Sequence, residues 1–122
     1  MHADEITEKI LGSAFEVSNT LGCGFLEKVY ERALLEELHA RGLRAKPQVK
    51  FKVEYKGRIV GEYCADLLVE DQVIVELKCA QNLAPEHMAQ CINYLKAANL
   101  KLALLLNFQR TKLEWKRIAN DF

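Results

Sequence analysis

Three charged residues in the middle of the chain have types and a spacing that could support chemistry. Asp66 lies in the largely apolar segment 63–69, and Glu76 and Lys78 lie in the next such segment, 73–79. If these segments pair as antiparallel strands around a three-residue turn, Asp66 falls opposite Glu76, with Cβ atoms ~5 Å apart. Paired carboxylates bind a hard divalent cation such as Mg²⁺ through oxygen. Because side chains alternate along a strand, Lys78 shares the face of Glu76 and could orient a water or stabilise developing negative charge.

Two other interpretations of this hairpin are open. A two-residue turn would shift the register so that Asp66 faces Leu77 instead. The charged residues could also form a solvated, salt-bridged face of an edge hairpin. Like charges that are directly opposed destabilise a sheet, so the first interpretation predicts that a cation lies between Asp66 and Glu76.

The hydrophobic pattern predicts which elements position these residues. Apolar residues recur every three to four positions over 6–21 and 26–38, which predicts a helical hairpin. The period changes to two over 49–55, and strands 59–69 and 73–79 follow as an antiparallel meander, with Gly61 at a bulge. Pro85 suits the first turn of a third helix. The apolar run 102–106 is typical of a strand buried on both faces, and 113–118 could add a weak edge strand or a turn of helix. We therefore expect an α/β fold in which helices cover a sheet in two or three layers.

Length and composition predict one domain over residues 1–122 and exclude several classes of protein. The chain carries 17 basic and 17 acidic residues, so its formal net charge is zero and it lacks a globally basic surface. No apolar stretch approaches the roughly 20 residues of a membrane span. The acidic N-terminus does not resemble a signal peptide, and the four cysteines form no C-x-x-C pair. We expect a cytoplasmic protein with free thiols and no membrane partner.

A motif at the start of the second helix extends the pattern. Residues 24–30 read G-F-L-E-K-V-Y and match the G-x-x-E-x-x-Y signature of the GxxExxY protein family, which is similar to the PD-(D/E)XK nuclease superfamily. The order αβββαβ, with Asp66 on the second strand and Glu76, Leu77 and Lys78 on the third, resembles the core of that superfamily. Ala65 stands where the superfamily name has proline, a departure that removes no ligand. The resemblance implies a restriction-endonuclease-like mixed sheet flanked by helices, with an extra N-terminal helix.

The resemblance also implies roles for the charged residues. Asp66, Glu76 and the backbone carbonyl of Leu77 would bind Mg²⁺ or Mn²⁺. Lys78 would assist the attacking water, and Glu27 would be an additional acidic residue of the catalytic site. Judged from the residues alone, Glu27 could equally be a first-turn acid that the helix dipole favours.

Three further residues are predicted to bind substrate. Gln90 and Tyr94 resemble the Q-x-x-x-Y element of RecB-type nucleases, and a spacing of four places them on one helical face. Tyr30 completes this set through its place in the G-x-x-E-x-x-Y signature. Its position in the apolar stripe of the second helix fits a core aromatic equally well.

Two classes of function follow from these observations. The first is a metal-dependent nuclease that hydrolyses phosphodiester bonds in DNA or RNA with a Mg²⁺-activated water. The second is a non-catalytic, nuclease-like module that binds nucleic acid or a protein partner, or forms a homodimer; zero net charge and small size favour it. Cys64, on the strand face of Asp66, would allow a softer metal such as zinc. Lys50 and Lys52 could hold a phosphate backbone near the acidic residues.

Overall fold

A five-stranded mixed sheet lies between two helical layers in the computed structural model, which describes residues 1–120. The last two residues of the predicted 1–122 domain lie outside this range. The sheet order is β1-β2-β3-β4-β5, and all neighbours are antiparallel except β3 and β4. The elements are α1 (Ala3–Leu21), α2 (Glu27–Ala40), β1 (Ala45–Tyr55), β2 (Arg58–Val69), β3 (Val73–Lys78), α3 (Pro85–Ala98), β4 (Leu102–Asn107) and β5 (Glu114–Ala119). This order confirms the predicted αβββαβ core with an extra N-terminal helix, and it adds the edge strand β5.

The two faces of the sheet carry two separate hydrophobic clusters. Along β3, Val73, Val75 and Leu77 pack against α1 and α2, whereas Ile74 packs on the opposite face with Cys91 and Leu95 of α3. This alternation follows from the period of two along a strand. The arrangement is therefore three-layered, with the helical hairpin on one face and α3 on the other.

The strand β4 lies next to the edge strand β5 and is buried along its whole length. It pairs in parallel with β3 and antiparallel with β5, and α3 provides the crossover between β3 and β4. A strand between two neighbours and between two helical layers needs apolar residues on both faces, which explains the uninterrupted run 102–106. Among residues 1–120, no helix is long and apolar enough to cross a bilayer.

The hairpin of β1 and β2 extends beyond the rest of the sheet. These strands pair from Ala45 and Val69 outward to Tyr55 and Arg58, with a register shift next to Gly61, as the sequence predicts. In contrast, β3 pairs with β2 only along Leu67–Val69. Most of β2 therefore has a free edge, and the charged residues lie where that edge begins.

Candidate active site

The predicted carboxylate pair lies where β2 and β3 separate. The ladder has the predicted register, but its last backbone pair is Leu67 with Val75. Beyond it, the amide of Asp66 donates to Glu76 Oε2 at 2.8 Å, and the amide of Leu77 donates to Asp66 Oδ2 at 2.9 Å. Each carboxylate thus accepts a hydrogen bond from a backbone amide of the other strand, where a regular ladder would use a backbone carbonyl as the acceptor. A backbone N–H group therefore bonds to each carboxylate where the strands separate. The expected cation between Asp66 and Glu76 stays a prediction.

An irregularity in β2 explains why the strands separate at this point. Ala65 packs on the α3 side of the sheet and Leu67 on the α1–α2 side, although residues two apart share a face in a regular strand. Opposite Asp66 on β1, Gln48 has a positive φ of 51°, a conformation that is uncommon outside glycine. The backbone is therefore irregular on both sides of Asp66.

Burial and mutual repulsion leave the carboxylates without full compensation for their charge. Glu76 is buried, with 4% of the residue exposed. Its burial, together with the charge of Asp66, raises its pKa to about 8, although the Asp66 amide and Lys78 act in the opposite direction. Burial also raises the pKa of Asp66, against the hydrogen bond from the Leu77 amide. Within residues 1–120, no Lys or Arg nitrogen lies within 4 Å of either carboxylate.

Glu27 joins this carboxylate cluster from the first position of α2. Partial burial and then the charge of Asp66 raise its pKa, while Lys78 and the Cys79 backbone lower it. The loop before the helix turns through Gly24, whose φ of 111° is a conformation that suits glycine. The predicted acids Glu27, Asp66 and Glu76 are therefore brought together from α2, β2 and β3.

Tyr30 is fully buried and holds the loop that precedes Glu27. Its hydroxyl donates to the Gly22 carbonyl at 2.6 Å and accepts the Phe25 amide at 3.2 Å. Its ring stacks on Phe108 with centroids 4.8 Å apart. The predicted substrate-binding role does not fit this placement, because the side chain is in the core. The alternative of a core aromatic describes it, with the added function of fixing the loop.

Lys78 faces α3 at the edge of the carboxylate cluster. Its Nζ donates to Gln90 Oε1 at 3.4 Å, and its charge lowers the pKa of Asp66 and Glu76. Tyr94, one turn beyond Gln90, has a raised pKa, first because of burial and then because of the charge of Glu76. The predicted Gln90 and Tyr94 thus approach the site from α3.

The Leu77 carbonyl is directed toward the gap between β2 and β3. The Leu77 amide donates to Asp66 across this gap, and the next carbonyl, that of Lys78, accepts the Phe108 amide on the β4 side at 3.0 Å. Successive carbonyls along a strand point in opposite directions, and the N–H and C=O of one residue point the same way. The predicted third oxygen ligand therefore lies on the same side as the two carboxylates.

Two residues that the sequence analysis missed support Asp66 from the α2 side. Glu31 is buried and accepts Lys28 Nζ at 3.0 Å and Gln48 Nε2 at 2.7 Å. The Gln48 side chain also lowers the pKa of Asp66, whereas the charge of Glu31 raises it. Glu31 follows Glu27 by four, a spacing that could have indicated a shared helical face. No sequence signal identifies Gln48.

Asn107, also missed, fixes the loop after Lys78. It is fully buried at the end of β4, and its side chain accepts the Ala80 amide at 3.1 Å and donates to the Ala80 carbonyl at 2.8 Å. Its Nδ2 also donates to Glu114 Oε1 at 3.0 Å. The sequence could have indicated this residue, because Asn107 is a polar residue directly after the uninterrupted apolar run 102–106.

The donor set fits a hard cation that keeps part of its water shell. Asp66, Glu76 and the Leu77 carbonyl are all oxygen donors, the type that Mg²⁺ prefers. Among residues 1–120, no three Asp, Glu, His or Cys side chains form a ligand group by themselves, so water would complete the coordination. Cys64 donates its thiol to Gln48 Oε1 at 3.2 Å, and the described geometry gives no support to a zinc site there.

Solved structures with the same fold include exonucleases. SSO0001 aligns over 98% of this chain with a TM-score of 0.62 and 16% identity, and the chain spans only 59% of that protein. An alkaline exonuclease (LHK-Exo) from Laribacter hongkongensis aligns over 98% of this chain and 83% of its own, with a TM-score of 0.51 and 14% identity. A phage-related exonuclease from Haemophilus somnus 129PT aligns over 92% and 72%, with a TM-score of 0.51 and 13% identity. The fold is thus restriction-endonuclease-like, as predicted.

A family model places the chain more specifically. The model of the PD-(D/E)XK nuclease superfamily matches residues 4–118, which is nearly the whole chain. The protein therefore belongs to the PD-(D/E)XK nuclease superfamily. The narrower GxxExxY family stays a prediction. The comparison with curated protein sequences found no significant match.

Proposed function

We propose that the protein is a metal-dependent nuclease that hydrolyses phosphodiester bonds in DNA or RNA at the Asp66–Glu76 pair. The observation that carries this proposal is the pair itself: two carboxylates held by backbone amides, partly removed from water and without an ion-pairing side chain. Keeping both carboxyls ionised is costly without a counter-charge, because unneutralised charge in a low-dielectric site is unfavourable. A divalent cation would supply the missing positive charge.

Asp66, Glu76 and the Leu77 carbonyl would hold Mg²⁺ or Mn²⁺. When bound, such a cation lowers the pKa of water and offsets charge on the phosphoryl oxygens. Lys78 would hold the attacking water or stabilise charge that develops on the phosphate, because its ammonium lies at the edge of the carboxylate cluster. Glu27 would orient water from the α2 side.

Gln90 and Tyr94 would contact the substrate from α3. Gln90 is exposed and already bonds to Lys78, so it would position both the lysine and a neighbouring phosphate oxygen. Tyr30 and Gln48 would act indirectly, since the first fixes the loop before Glu27 and the second bonds to Glu31.

The test is cleavage of end-labelled single-stranded and duplex DNA and RNA with Mg²⁺, Mn²⁺ or EDTA. We expect cleavage with either metal, none in EDTA, and a loss of at least 100-fold in Asp66→Ala. Glu8→Ala, an exposed substitution on α1, is the matched control and should cleave like the wild type. Equal cleavage by Asp66→Ala and wild type would refute the assignment. Binding of nucleic acid without cleavage of any substrate would favour the non-catalytic module instead.

A further inference from the structure

A groove lies between the free end of the β1–β2 hairpin and α3. Its volume is about 810 Å³, and it is lined by Lys52, Glu54 and Tyr63 from the hairpin and by Asn93, Tyr94 and Lys96 from α3, among others. This volume is within the range of ~300–1,000 Å³ that is usual for ligand sites. Gly61 borders this end of the hairpin, where a side chain would meet only open space.

Two tyrosines connect the groove to the carboxylate cluster. The rings of Tyr63 and Tyr94 stack with centroids 3.7 Å apart and planes 6° apart, and Tyr63 donates its hydroxyl to the Tyr94 carbonyl at 2.6 Å. Phe51 stacks on Tyr63 with centroids 5.3 Å apart. After burial, the charge of Glu76 is the next cause of the raised pKa of both phenols, which places both rings within electrostatic reach of the site.

The hairpin beside the groove is locally basic although the whole chain has zero net charge. Residues 50–63 contain three lysines and one arginine against two glutamates, a local net charge of +2. Within residues 1–120, neither Lys52 nor Lys96 takes part in an ion pair. One lysine comes from β1 and the other from α3, and Glu54 is the acidic residue of the lining.

We propose that this groove holds one or two unpaired nucleotides of a single-stranded nucleic acid beside the bond that is cleaved. The inference rests on the proposed nuclease function and names its substrate class. Lys52 and Lys96 would bind phosphates, Tyr94 would offer an aromatic surface to a base, and Asn93 would hydrogen-bond to a base edge. A positively charged groove with aromatic side chains is the general design of single-strand binding sites.

The length of the groove limits the number of nucleotides it holds, and its aromatic wall favours an unpaired strand. The α3 residues 93–97 that line it cover about 6 Å at ~1.5 Å per residue, which is one to two nucleotides at ~3.4 Å each. A base that lies against Tyr94 has its edge and face turned into the protein, so it cannot remain stacked in a duplex. A strand with unpaired nucleotides at the site is therefore the expected substrate.

Binding without metal tests this inference separately from cleavage. Fluorescence anisotropy of a labelled 12-nucleotide dT oligomer in EDTA would be measured over a salt series for wild type, Lys52→Ala, Lys96→Ala and Lys9→Ala. Lys9 is an exposed lysine on α1, across the sheet from the groove. Each phosphate contact contributes about 0.7 to the slope of log K against log salt for a single strand. We expect that slope to fall by about 0.7 in each groove variant, with about fivefold weaker binding at 0.1 M salt, and to be unchanged in Lys9→Ala.

Two other ligands test the role of the bases. A blunt duplex of the same length should bind at least tenfold more weakly than the single strand. An oligomer with abasic sites keeps the phosphates, and it should bind at least about fivefold more weakly than dT because base stacking is lost. Equal slopes in the groove and control variants, or equal binding of the duplex, would overturn the inference. The absence of cleavage with these binding results intact would overturn the proposed nuclease function and leave the groove assignment standing.

Discussion

Replacing Glu76 with glutamine is expected to change how the stability of the metal-free protein depends on pH. The pKa of Glu76 is raised from 4.5 to about 8 by burial and by the charge of Asp66. Between these two values the folded state holds a proton that the unfolded state has released. The folded protein therefore loses stability as pH rises from about 4.5, and the loss is complete above about 8. A group with a lowered pKa would act in the opposite direction.

The size of this effect follows from the pKa difference. One pKa unit corresponds to ~1.4 kcal/mol, so Glu76 contributes a loss of about 3–5 kcal/mol between pH 4.5 and 8. This is a large part of the ~5–15 kcal/mol that stabilises a typical domain. Glu76→Gln keeps an oxygen that can accept the Asp66 amide and removes the charge. It should therefore be more stable than the wild type at pH 8.5 without metal.

Urea unfolding in EDTA at several pH values between 5 and 9 measures the effect. The wild type should lose free energy of unfolding across this range, whereas Glu76→Gln should keep only the smaller slope that Asp66 and Glu27 produce, since their pKa values are also raised. Glu8→Gln is the exposed control and should follow the wild type. Parallel profiles for Glu76→Gln and wild type would refute the reasoning about the buried charge.

Three further substitutions test the residues that position the site. Tyr30→Phe removes the hydroxyl that ties the loop before α2, and it should lower the free energy of unfolding by ~1–3 kcal/mol in urea; an unchanged value would contradict the loop assignment. Gly24→Ala places a side chain at φ 111° and should cost ~1–3 kcal/mol in the same assay, so a neutral result would argue against this backbone. Gln48→Gly relieves a positive φ but removes the side-chain amide that bonds to Glu31. The free energy of unfolding should therefore change by less than ~1 kcal/mol, while cleavage should fall at least tenfold. Unchanged cleavage would show that Gln48 is not part of the site.

The order of elements could be predicted because each one has a strong local pattern. The helices have continuous apolar stripes, β4 is an uninterrupted apolar run, and the three-residue turn sets the register of β2 and β3. The register alone places Asp66 near Glu76. These features depend on periodicity and turn length, both of which can be read from sequence.

The details of the site could not be predicted because they depend on a departure from regular structure. The pattern of β2 suggests a strand that continues through Asp66. The sequence therefore did not indicate that β2 separates from β3 at Asp66, or that the carboxylates accept hydrogen bonds from backbone amides there. The positive φ of Gln48 is a tertiary effect that its residue type does not favour. For Tyr30, periodicity indicated the core and the signature indicated a function, and the structure combines them: a buried ring that fixes the loop leading to Glu27.

The central claim is that the separation of β2 and β3 builds a divalent-metal site on Asp66 and Glu76, and calorimetric titration tests it most directly. Mg²⁺ and Mn²⁺ would be titrated into Lys78→Ala, with and without a short oligonucleotide, so that a bound strand is not cleaved. We predict saturable metal binding to Lys78→Ala. This binding should be lost in the double variant that also carries Asp66→Ala and retained in the double variant that also carries Glu8→Ala. Binding that survives Asp66→Ala, or no binding even with oligonucleotide present, would contradict the account.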